Sequence, residues 1–325
     1  MSPHERLERE WSDWSGMPHC VAVASGTAAL HLALEAWKAI FHRPWMPTPS
    51  VVMPDYGMVA CPRAAVMANL HPTFVDCDRR TLLTVEYDQY AVGGYVAMPV
   101  YVYGRTCEMD FSPRQFVIED LSEGHGIAPR PGSFAACWSC YRNKIVHGYE
   151  GGMIGFRDRE SANLVRSLRS LGFTDAHDYT HIPRGVNARM SDQHAEAILT
   201  SLRNFDEEIR RRRETEAAYD EATPVEWRMP ERDAPWVYDL RIPGLTAEKQ
   251  REAIESLRRE GTAARYGFKP MRSLPEFADP ADPPGPEATA ASREVIYLPL
   301  DVTPETAGRT IRSLEHVIRC GPGAA

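Results

Sequence analysis

The first half of the 325-residue chain alternates short apolar segments with stretches of helical periodicity, and this alternation limits the possible folds more than any other feature. After the apolar run at 21–24, Leu30, Ala33, Leu34 and Trp37 repeat at the i, i+3, i+4 and i+7 spacing of one helical face. Five more segments have the length and composition of strands, at 51–54, 73–76, 95–100, 116–118 and 134–138. Apolar strands separated by helices predict an α/β fold, with a mostly parallel sheet between two layers of helices.

The second half has a different order of elements. We predict one long helix at 190–219. It is followed by a strand at 236–242, a helix at 247–259, a Pro- and Ala-rich loop at 275–292, a strand at 295–300 and a closing helix at 304–318. The basic run at 210–213 lies in the long helix, where acidic neighbours favour a solvated helix face over an anion-binding patch. The predicted organisation is a large domain at 1–210 and a small α+β domain at 211–325.

Composition argues against several classes of partner. The formal net charge is −8, whereas nucleic acids and anionic membranes select basic surfaces. No apolar run approaches the ~20 residues of a membrane helix, and the N-terminal residues lack the apolar core of a signal peptide. Seven cysteines at irregular spacing do not indicate a disulfide framework. We therefore expect a reduced, cytoplasmic protein that binds neither nucleic acid nor membrane.

A glycine turn, Ser25-Gly26-Thr27-Ala28, connects the first strand to a predicted helix. The N-terminus of a helix offers unpaired N–H groups and a partial positive charge, which suit a phosphate. Gly26 permits close approach of the backbone, and Thr27 adds a hydroxyl donor. The alternative is an ordinary strand–turn–helix connection with Thr27 as the cap.

An acidic pair, Glu119 and Asp120, directly follows the apolar residues at 116–118. Ligands of open parallel sheets bind at the carboxyl ends of the strands. A carboxylate at this position can hold the protonated ring nitrogen of a pyridine cofactor and so make the ring an electron sink. The alternative is an Asp that caps the next element.

Lys144 follows the predicted strand at 134–138 and precedes Gly151 and Gly152. A lysine that forms a Schiff base must be neutral to attack a carbonyl, and burial or a nearby cation such as Arg142 lowers its pKa. The alternative is an ordinary surface lysine.

Cys137 and Cys140 have the C-x-x-C spacing of zinc and redox motifs. No second pair completes a zinc site, and strand geometry would point the two side chains to opposite faces. The chain also lacks the G-x-S-x-G turn of the α/β-hydrolases. We predict no metal site.

Taken in order, these segments resemble the sugar aminotransferases of the DegT/DnrJ/EryC1/StrS group, a branch of the fold-type I pyridoxal-phosphate enzymes. The resemblance rests on seven collinear blocks: VAVASGTAALHLAL (21–34), VVMPDYGMVACPRAAVMANLHPTFVDCD (51–78), MPVYVYGRTCEMD (98–110), FVIEDLSEGHG (116–126), CWSCYRNKIVHGYEGGMIGF (137–156), GVNARMSDQHAEAIL (185–199) and VIYLPLDVTPE (295–305). It implies a large domain with a mixed, mostly parallel sheet and a small C-terminal domain.

The resemblance also implies a role for individual residues. Lys144 would carry pyridoxal 5'-phosphate as a Schiff base, and Asp120 would pair with the pyridine nitrogen. The phosphate would be held by Thr27 and Ala28, after Gly26, together with Ser139. Asn187 resembles the residue that reaches the phosphate of a neighbouring subunit, which implies a homodimer with shared active sites.

Three positions differ from the family pattern. Met58 stands where an aromatic residue usually stacks on the cofactor ring, although a thioether can also pack there. Glu123 replaces the usual Gln or His near the ring hydroxyl, where a carboxylate can change the protonation of the cofactor. Tyr149 replaces the usual glycine before Glu150.

The function that we predict is transfer of an amino group from glutamate or glutamine to a keto-sugar, most often nucleotide-linked in this family. Lys144 would act as general base and acid, and Asp120 would keep the ring nitrogen protonated. Two alternatives stay open. Decarboxylation, elimination or substitution on an amino acid would use the same electron sink, and a non-catalytic homologue would bind without reacting.

Overall fold

The computed structural model describes residues 1–43, 45–84, 87, 95–107, 116–174 and 179–320. Within these ranges the larger sheet has seven strands in the order β1-β7-β6-β5-β4-β2-β3. Their bounds are His19–Val23 for β1, Ser50–Pro54 for β2, His71–Val75 for β3, Val96–Ala97 for β4, Phe116–Asp120 for β5, Ala135–Ser139 for β6 and Gly152–Phe156 for β7. Of these strands, β7 runs antiparallel to both neighbours, and the other pairings are parallel. The prediction of a mostly parallel sheet is confirmed.

Strand β7 has no counterpart among the predicted strands, because Gly152 and Gly155 interrupt its apolar pattern. The tertiary structure explains both glycines. A Cβ on Gly155 would lie 2.7 Å from the Cβ of Met17, and one on Gly152 would lie 2.4 Å from the carbonyl oxygen of Ser25. Close approach of neighbouring segments therefore decides the composition of this strand.

The helices within the described residues are α1 (Pro3–Ser15), α2 (Gly26–Phe41), α3 (Ala60–Met67), α4 (Arg159–Leu168), α5 (Asp192–Arg203), α6 (Phe205–Ala222), α7 (Ala247–Arg259), α8 (Pro286–Glu294) and α9 (Pro304–Cys320). Helix α2 is buried almost all round and contacts β5, β6 and β7 as well as α3 and α4. Its mostly apolar sequence agrees with this central position. None of the helices in the described ranges is long and apolar enough to span a bilayer.

Two sequence predictions for the second half are wrong. The single helix expected at 190–219 is divided into α5 and α6 at Asn204, whose backbone angles are φ −95° and ψ 8°. Asn is a weak helix former, and the acidic residues that follow favour the start of a new helix. The loop expected at 275–292 contains the start of α8, which begins with Pro286 in its first turn and continues through alanines.

The second half of the chain forms a smaller sheet. It consists of β8 (Val237–Arg241), β9 (Arg265–Tyr266) and β10 (Val295–Pro299) in the antiparallel order β8-β10-β9. With α6, α7 and α9 it encloses a separate apolar cluster that begins at Tyr219. The prediction of a small α+β unit is confirmed, whereas the boundary after residue 210 stays a prediction, since that residue lies inside α6.

A buried group of charges connects the small sheet to the segment that follows β4, and we call Asp239, Arg105, Arg232 and Glu216 the Asp239 cluster. Both carboxylate oxygens of Asp239 accept from the Arg105 guanidinium at 2.9 Å, and Arg232 Nε donates to Asp239 Oδ1 at 2.8 Å. Arg232 also donates to Glu216 at 3.0 Å. Burial alone would raise the pKa of Asp239, but the two guanidiniums hold it below its ordinary value.

Candidate active site

The carboxyl ends of β1, β5 and β6 lie at one edge of the large sheet, because these strands share one direction. Strand β1 leads into α2, β5 ends with Asp120, and β6 ends with Ser139. The topology therefore brings together three of the segments that the sequence singles out, at the edge where ligands of such sheets bind.

The start of α2 forms a cradle with the end of β6. The cap of the helix is Ser25, whose Oγ accepts the N–H of Ala28 at 3.1 Å, so the interpretation of Thr27 as the cap is wrong. A Cβ on Gly26 would lie 2.7 Å from the Cβ of Ser139. Only glycine lets the Ser139 side chain rest against the first turn, where the leading N–H groups have no intrahelical acceptor.

Asp120 is a buried carboxylate with one weak donor. Its Oδ1 accepts the N–H of Ser122 at 3.0 Å, and its Oδ2 accepts from the thiol of Cys61 at 3.0 Å. Burial raises the pKa of Cys61 well above its ordinary value, which keeps the thiol protonated. Because a thiol is a poor donor, Oδ2 can accept a stronger hydrogen bond from a cationic N–H.

The Lys144 side chain is only 11% exposed, so it is not an ordinary surface lysine. Its Nζ lies 3.8 Å from Glu123 Oε1 and 4.0 Å from the ring centre of Trp236. Burial lowers the pKa of Lys144 below its usual value, and the carboxylates of Glu123 and Asp120 partly oppose this change. The amine is therefore easier to deprotonate than that of a lysine in water. We call Lys144, Glu123 and Asp120 the Lys144 cluster.

The backbone around Lys144 is held by neighbours from distant parts of the chain. Val146 donates its N–H to Nδ1 of His125 at 3.0 Å, and the indole N–H of Trp236 donates to the carbonyl of Asn143 at 2.7 Å. Burial lowers the pKa of His125 to about 3, so this imidazole is neutral and can accept. These contacts fix the segment that carries the lysine.

Glu123 connects the lysine to a strained turn. Its Oε2 accepts the N–H of Tyr103 at 2.8 Å, and Tyr103 has the left-handed φ of 54°. Burial raises the pKa of Glu123 to about 7, although the Lys144 cation lowers it. At neutral pH this carboxyl group can therefore hold or release a proton 3.8 Å from the lysine amine.

Lys144 lines a cavity of about 660 Å³, and we call it the Lys144 cavity. Its walls come from the loop at 142–149, from α5 and α6, and from the small sheet. The basic run at 210–213 contributes Arg211 and Arg212, and Arg212 is buried. The prediction that this run is a solvated helix face is therefore wrong for Arg212, because the packing of α6 turns that side chain inwards.

Two predicted site residues lie at the surface of the single chain. Met58 is 52% exposed in the segment before α3. Asn187 is also exposed, and its backbone forms an isolated antiparallel β-bridge with Ser170. Their roles stay predictions. Cys61 and Trp236 contact the Lys144 cluster but are absent from the sequence interpretation, since nothing in their local sequence indicates which residues they meet.

Comparison with known proteins identifies the family of the chain. The model of the DegT/DnrJ/EryC1/StrS aminotransferase family matches residues 2–315. A GDP-perosamine synthase from Caulobacter vibrioides is 28% identical and covers 96% of this chain and 89% of its own length. A dTDP-3-amino-3,4,6-trideoxy-alpha-D-glucose transaminase from Streptomyces venezuelae is 27% identical over 91% of this chain and 81% of its own. A 3-amino-5-hydroxybenzoate synthase from Amycolatopsis mediterranei is 26% identical over 83% and 75%.

Solved structures share the fold. The crystal structure of a 3-amino-5-hydroxybenzoic acid synthase has a TM-score of 0.85 at 23% identity and covers 97% of this chain and 90% of its own. The PLP-form of the sugar aminotransferase Spr1654 from Streptococcus pneumoniae has a TM-score of 0.84 at 20% identity, with coverage of 99% and 93%. At these identities the similarity establishes the architecture.

Proposed function

Since the chain belongs to the DegT/DnrJ/EryC1/StrS aminotransferase family, we propose that it is a pyridoxal-phosphate-dependent aminotransferase that acts on a nucleotide-linked keto-sugar. The observation that carries this proposal is the largely buried Lys144 amine, whose pKa is lowered and which faces Glu123 at the carboxyl edge of the parallel strands. A buried amine that is easily deprotonated is the group that this chemistry requires.

The residues at this edge fit pyridoxal phosphate. The first turn of α2, from Gly26 to Ala28, and the hydroxyl of Ser139 supply donors for a phosphate, and the contact of Gly26 with Ser139 keeps that cradle open. Asp120 is buried and retains a poorly satisfied oxygen for the ring nitrogen. Lys144 supplies the amine for the aldehyde. The bound cofactor would serve as an electron sink for the carbon that exchanges its amino group.

The protein's own part in the reaction is to move protons and to hold charge. Lys144 Nζ takes a proton from the reacting carbon and returns it, which its lowered pKa makes possible near neutral pH. Asp120 keeps the ring nitrogen protonated. Glu123 stores a proton close to Nζ, since its pKa is about 7. The Trp236 ring, whose centre lies 4.0 Å from Nζ, covers one side of the amine.

The names of the relatives support the choice of substrates. Two of those described above are named for amino-sugars attached to GDP or dTDP. A further relative from Streptomyces lividus, 32% identical over 53% of this chain and 42% of its own length, is named an L-glutamine:2-deoxy-scyllo-inosose aminotransferase, so its name gives glutamine as the donor. We therefore propose glutamate or glutamine as donor and a keto-sugar as acceptor.

Borohydride reduction of the holoenzyme, followed by peptide mass spectrometry, tests the proposal. We expect a visible cofactor absorbance that disappears on reduction, with the added mass on Lys144. Incubation with glutamate or glutamine should convert the cofactor to its amine form. If neither wild-type protein nor Lys144→Ala binds the cofactor, the proposal is wrong.

A different acceptor is the second candidate, and one observation favours it: the Amycolatopsis relative is named for an aromatic amino acid instead of a sugar. Product analysis after incubation with a keto-sugar nucleotide or with a cyclic keto-acid separates the two. Release of carbon dioxide from the donor would instead indicate a decarboxylase.

We also propose that the protein is a cytoplasmic homodimer with shared active sites. Asn187 supports the dimer, because it is exposed in the single chain and lies next to Ala188, whose carbonyl accepts the N–H of Ala24 at the end of β1. Subunit mixing tests it. If Lys144→Ala and Asn187→Ala are each inactive, a mixture should regain about a quarter of wild-type activity, since hybrid dimers contain one intact site. A mixture without activity contradicts shared sites.

A further inference from the structure

Tyr149 has a backbone conformation that its side chain disfavours. Its φ is 70°, in the left-handed region where a Cβ crowds the following carbonyl and where glycine is favoured. It belongs to the same loop as Lys144, which makes the position part of the active-site segment.

The loop imposes this conformation. The carbonyl of Tyr149 accepts the N–H of Arg142 at 3.1 Å, and Gly148 donates to the carbonyl of Cys140 at 3.0 Å. Gly148 is pressed against α5, because a Cβ there would lie 2.4 Å from Cγ1 of Ile198. The path of the chain is thus fixed on both sides, and a glycine at 149 would follow it with less strain.

The ring of Tyr149 is exposed and has no stacking or hydrogen-bond partner among the described residues. The residue is 69% exposed, and within the described part of the chain its ring packs on no aromatic ring and its hydroxyl has no hydrogen bond. Tyr103 is the contrasting case: it also has a positive φ, but it is fully buried and stacks on Phe268 at 5.4 Å. Among the described residues, the side chain at 149 therefore has no ring contact or hydrogen bond that offsets its strain.

The ring lies at the wall of the Lys144 cavity, which is basic although the whole chain has a net charge of −8. Arg142 and Arg265 line the same cavity, and neither forms an ion pair with a carboxylate of the described residues. An exposed aromatic ring in the same cavity as two guanidiniums that lack a carboxylate partner among the described residues suits a ligand that combines a flat ring with phosphates.

We propose that Tyr149 is a specificity-determining residue that contacts the base of a nucleoside diphosphate, while Arg142 and Arg265 contact its phosphates. This inference rests on the proposed function and assigns the nucleotide part of the acceptor to one side of the Lys144 cavity. The strain of Tyr149 is retained because the ring serves the ligand.

Calorimetric titration of the holoenzyme with GDP, UDP, dTDP and inorganic pyrophosphate tests the assignment. We expect Tyr149→Gly to weaken the tightest nucleoside diphosphate about tenfold, the effect of losing one base–aromatic contact. Tyr149→Phe should bind as the wild type does, and pyrophosphate affinity should not change in either variant. Arg142→Ala should weaken pyrophosphate and nucleotide alike.

Tyr179→Gly is the matched control, since Tyr179 is 79% exposed and has a φ of 64° but does not line the cavity. It should leave nucleotide affinity unchanged. The melting temperature of Tyr149→Gly should equal or exceed that of the wild type, because strain is removed. A lower melting temperature, dissociation of the oligomer, or unchanged nucleotide affinity in Tyr149→Gly overturns the proposal.

Two results distinguish this inference from the proposed function. If the wild type converts its cofactor with glutamate or glutamine but binds no nucleoside diphosphate, the inference is wrong and the aminotransferase stands. If nucleotides bind and Tyr149→Gly weakens them but no donor reacts, the inference stands and the proposed reaction is wrong.

Discussion

The Lys144 cluster and the Asp239 cluster are both buried groups of opposite charges, yet they are built differently. In the Asp239 cluster, each carboxylate oxygen of Asp239 accepts a guanidinium N–H at about 3 Å, and the pKa of Asp239 lies below its ordinary value. In the Lys144 cluster the nearest charged atoms are 3.8 Å apart, and burial moves the pKa values of Lys144 and Glu123 towards neutrality. Complete pairing keeps charges fixed, whereas incomplete pairing lets protons move.

The largest expected effect is on activity. Lys144→Ala should lower the rate of transamination by about 10²- to 10⁴-fold, because it removes the amine that we propose as the general base and acid. The free energy of unfolding at pH 7 should change little, since Glu123 takes up a proton when the cation opposite it is removed. Initial rates and urea unfolding measure the two quantities.

Lys249→Ala is the control for this change, because Lys249 is exposed on α7. It should alter neither quantity. Substantial transamination by Lys144→Ala would remove this lysine from the mechanism.

A substitution in the Asp239 cluster should lower the stability of the fold. Asp239→Asn removes the carboxylate that pairs with the buried Arg105 guanidinium and leaves the buried Arg232 guanidinium with Glu216 alone, so the free energy of unfolding should decrease by about 3–5 kcal/mol. Urea unfolding measures it. Glu207→Gln is the control, since Glu207 pairs with Arg210 at the surface and should cost less than about 1 kcal/mol. Equal losses in both variants would contradict the comparison.

The pH dependence of stability separates the two clusters further. Glu123 has its pKa raised from 4.5 to about 7, so the folded protein keeps a proton that the unfolded chain releases. The contribution of Glu123 to the free energy of unfolding is at most about 3 kcal/mol. It is fully present below about pH 4.5 and is lost as the pH rises to 7. Glu123→Gln should remove this slope in urea unfolding of cofactor-free protein.

Lys144→Ala provides a second test of the pH dependence of stability. Because the Lys144 cation lowers the pKa of Glu123, its removal should extend the loss of stability above pH 7. A profile identical in wild type and Glu123→Gln would show that Glu123 titrates as it does in water.

The smallest effect is expected at Cys61. Cys61→Ala removes the thiol that donates to Asp120, which should weaken cofactor binding by about 2- to 5-fold, the range for one weak hydrogen bond. Cys61→Ser restores a donor and should bind the cofactor at least as well as the wild type. Titration of cofactor-free protein, followed by visible absorbance, measures this. Unchanged affinity in Cys61→Ala would mean that the thiol does not support Asp120.

Prediction from the sequence succeeds for features that a short segment contains. The parallel sheet follows from apolar runs such as β2 and β5, and the end of β5 places Asp120 at the ligand edge. Prediction fails where contacts between distant segments determine the local structure. Asn204 divides a periodic stretch into two helices, and the two glycines of β7 reflect contacts with Met17 and Ser25.

The sequence by itself determined the α/β architecture, the family, and the candidate lysine, because strand and helix periodicities and motif order are local properties of the chain. The tertiary structure alone decided the surroundings of that lysine. Trp236 lies 92 positions after Lys144 along the chain, and the strain of Tyr149 depends on the packing of Gly148 against α5. Burial, pairing distance and backbone strain arise only when distant segments meet, and these quantities distinguish a reactive lysine from an ordinary one.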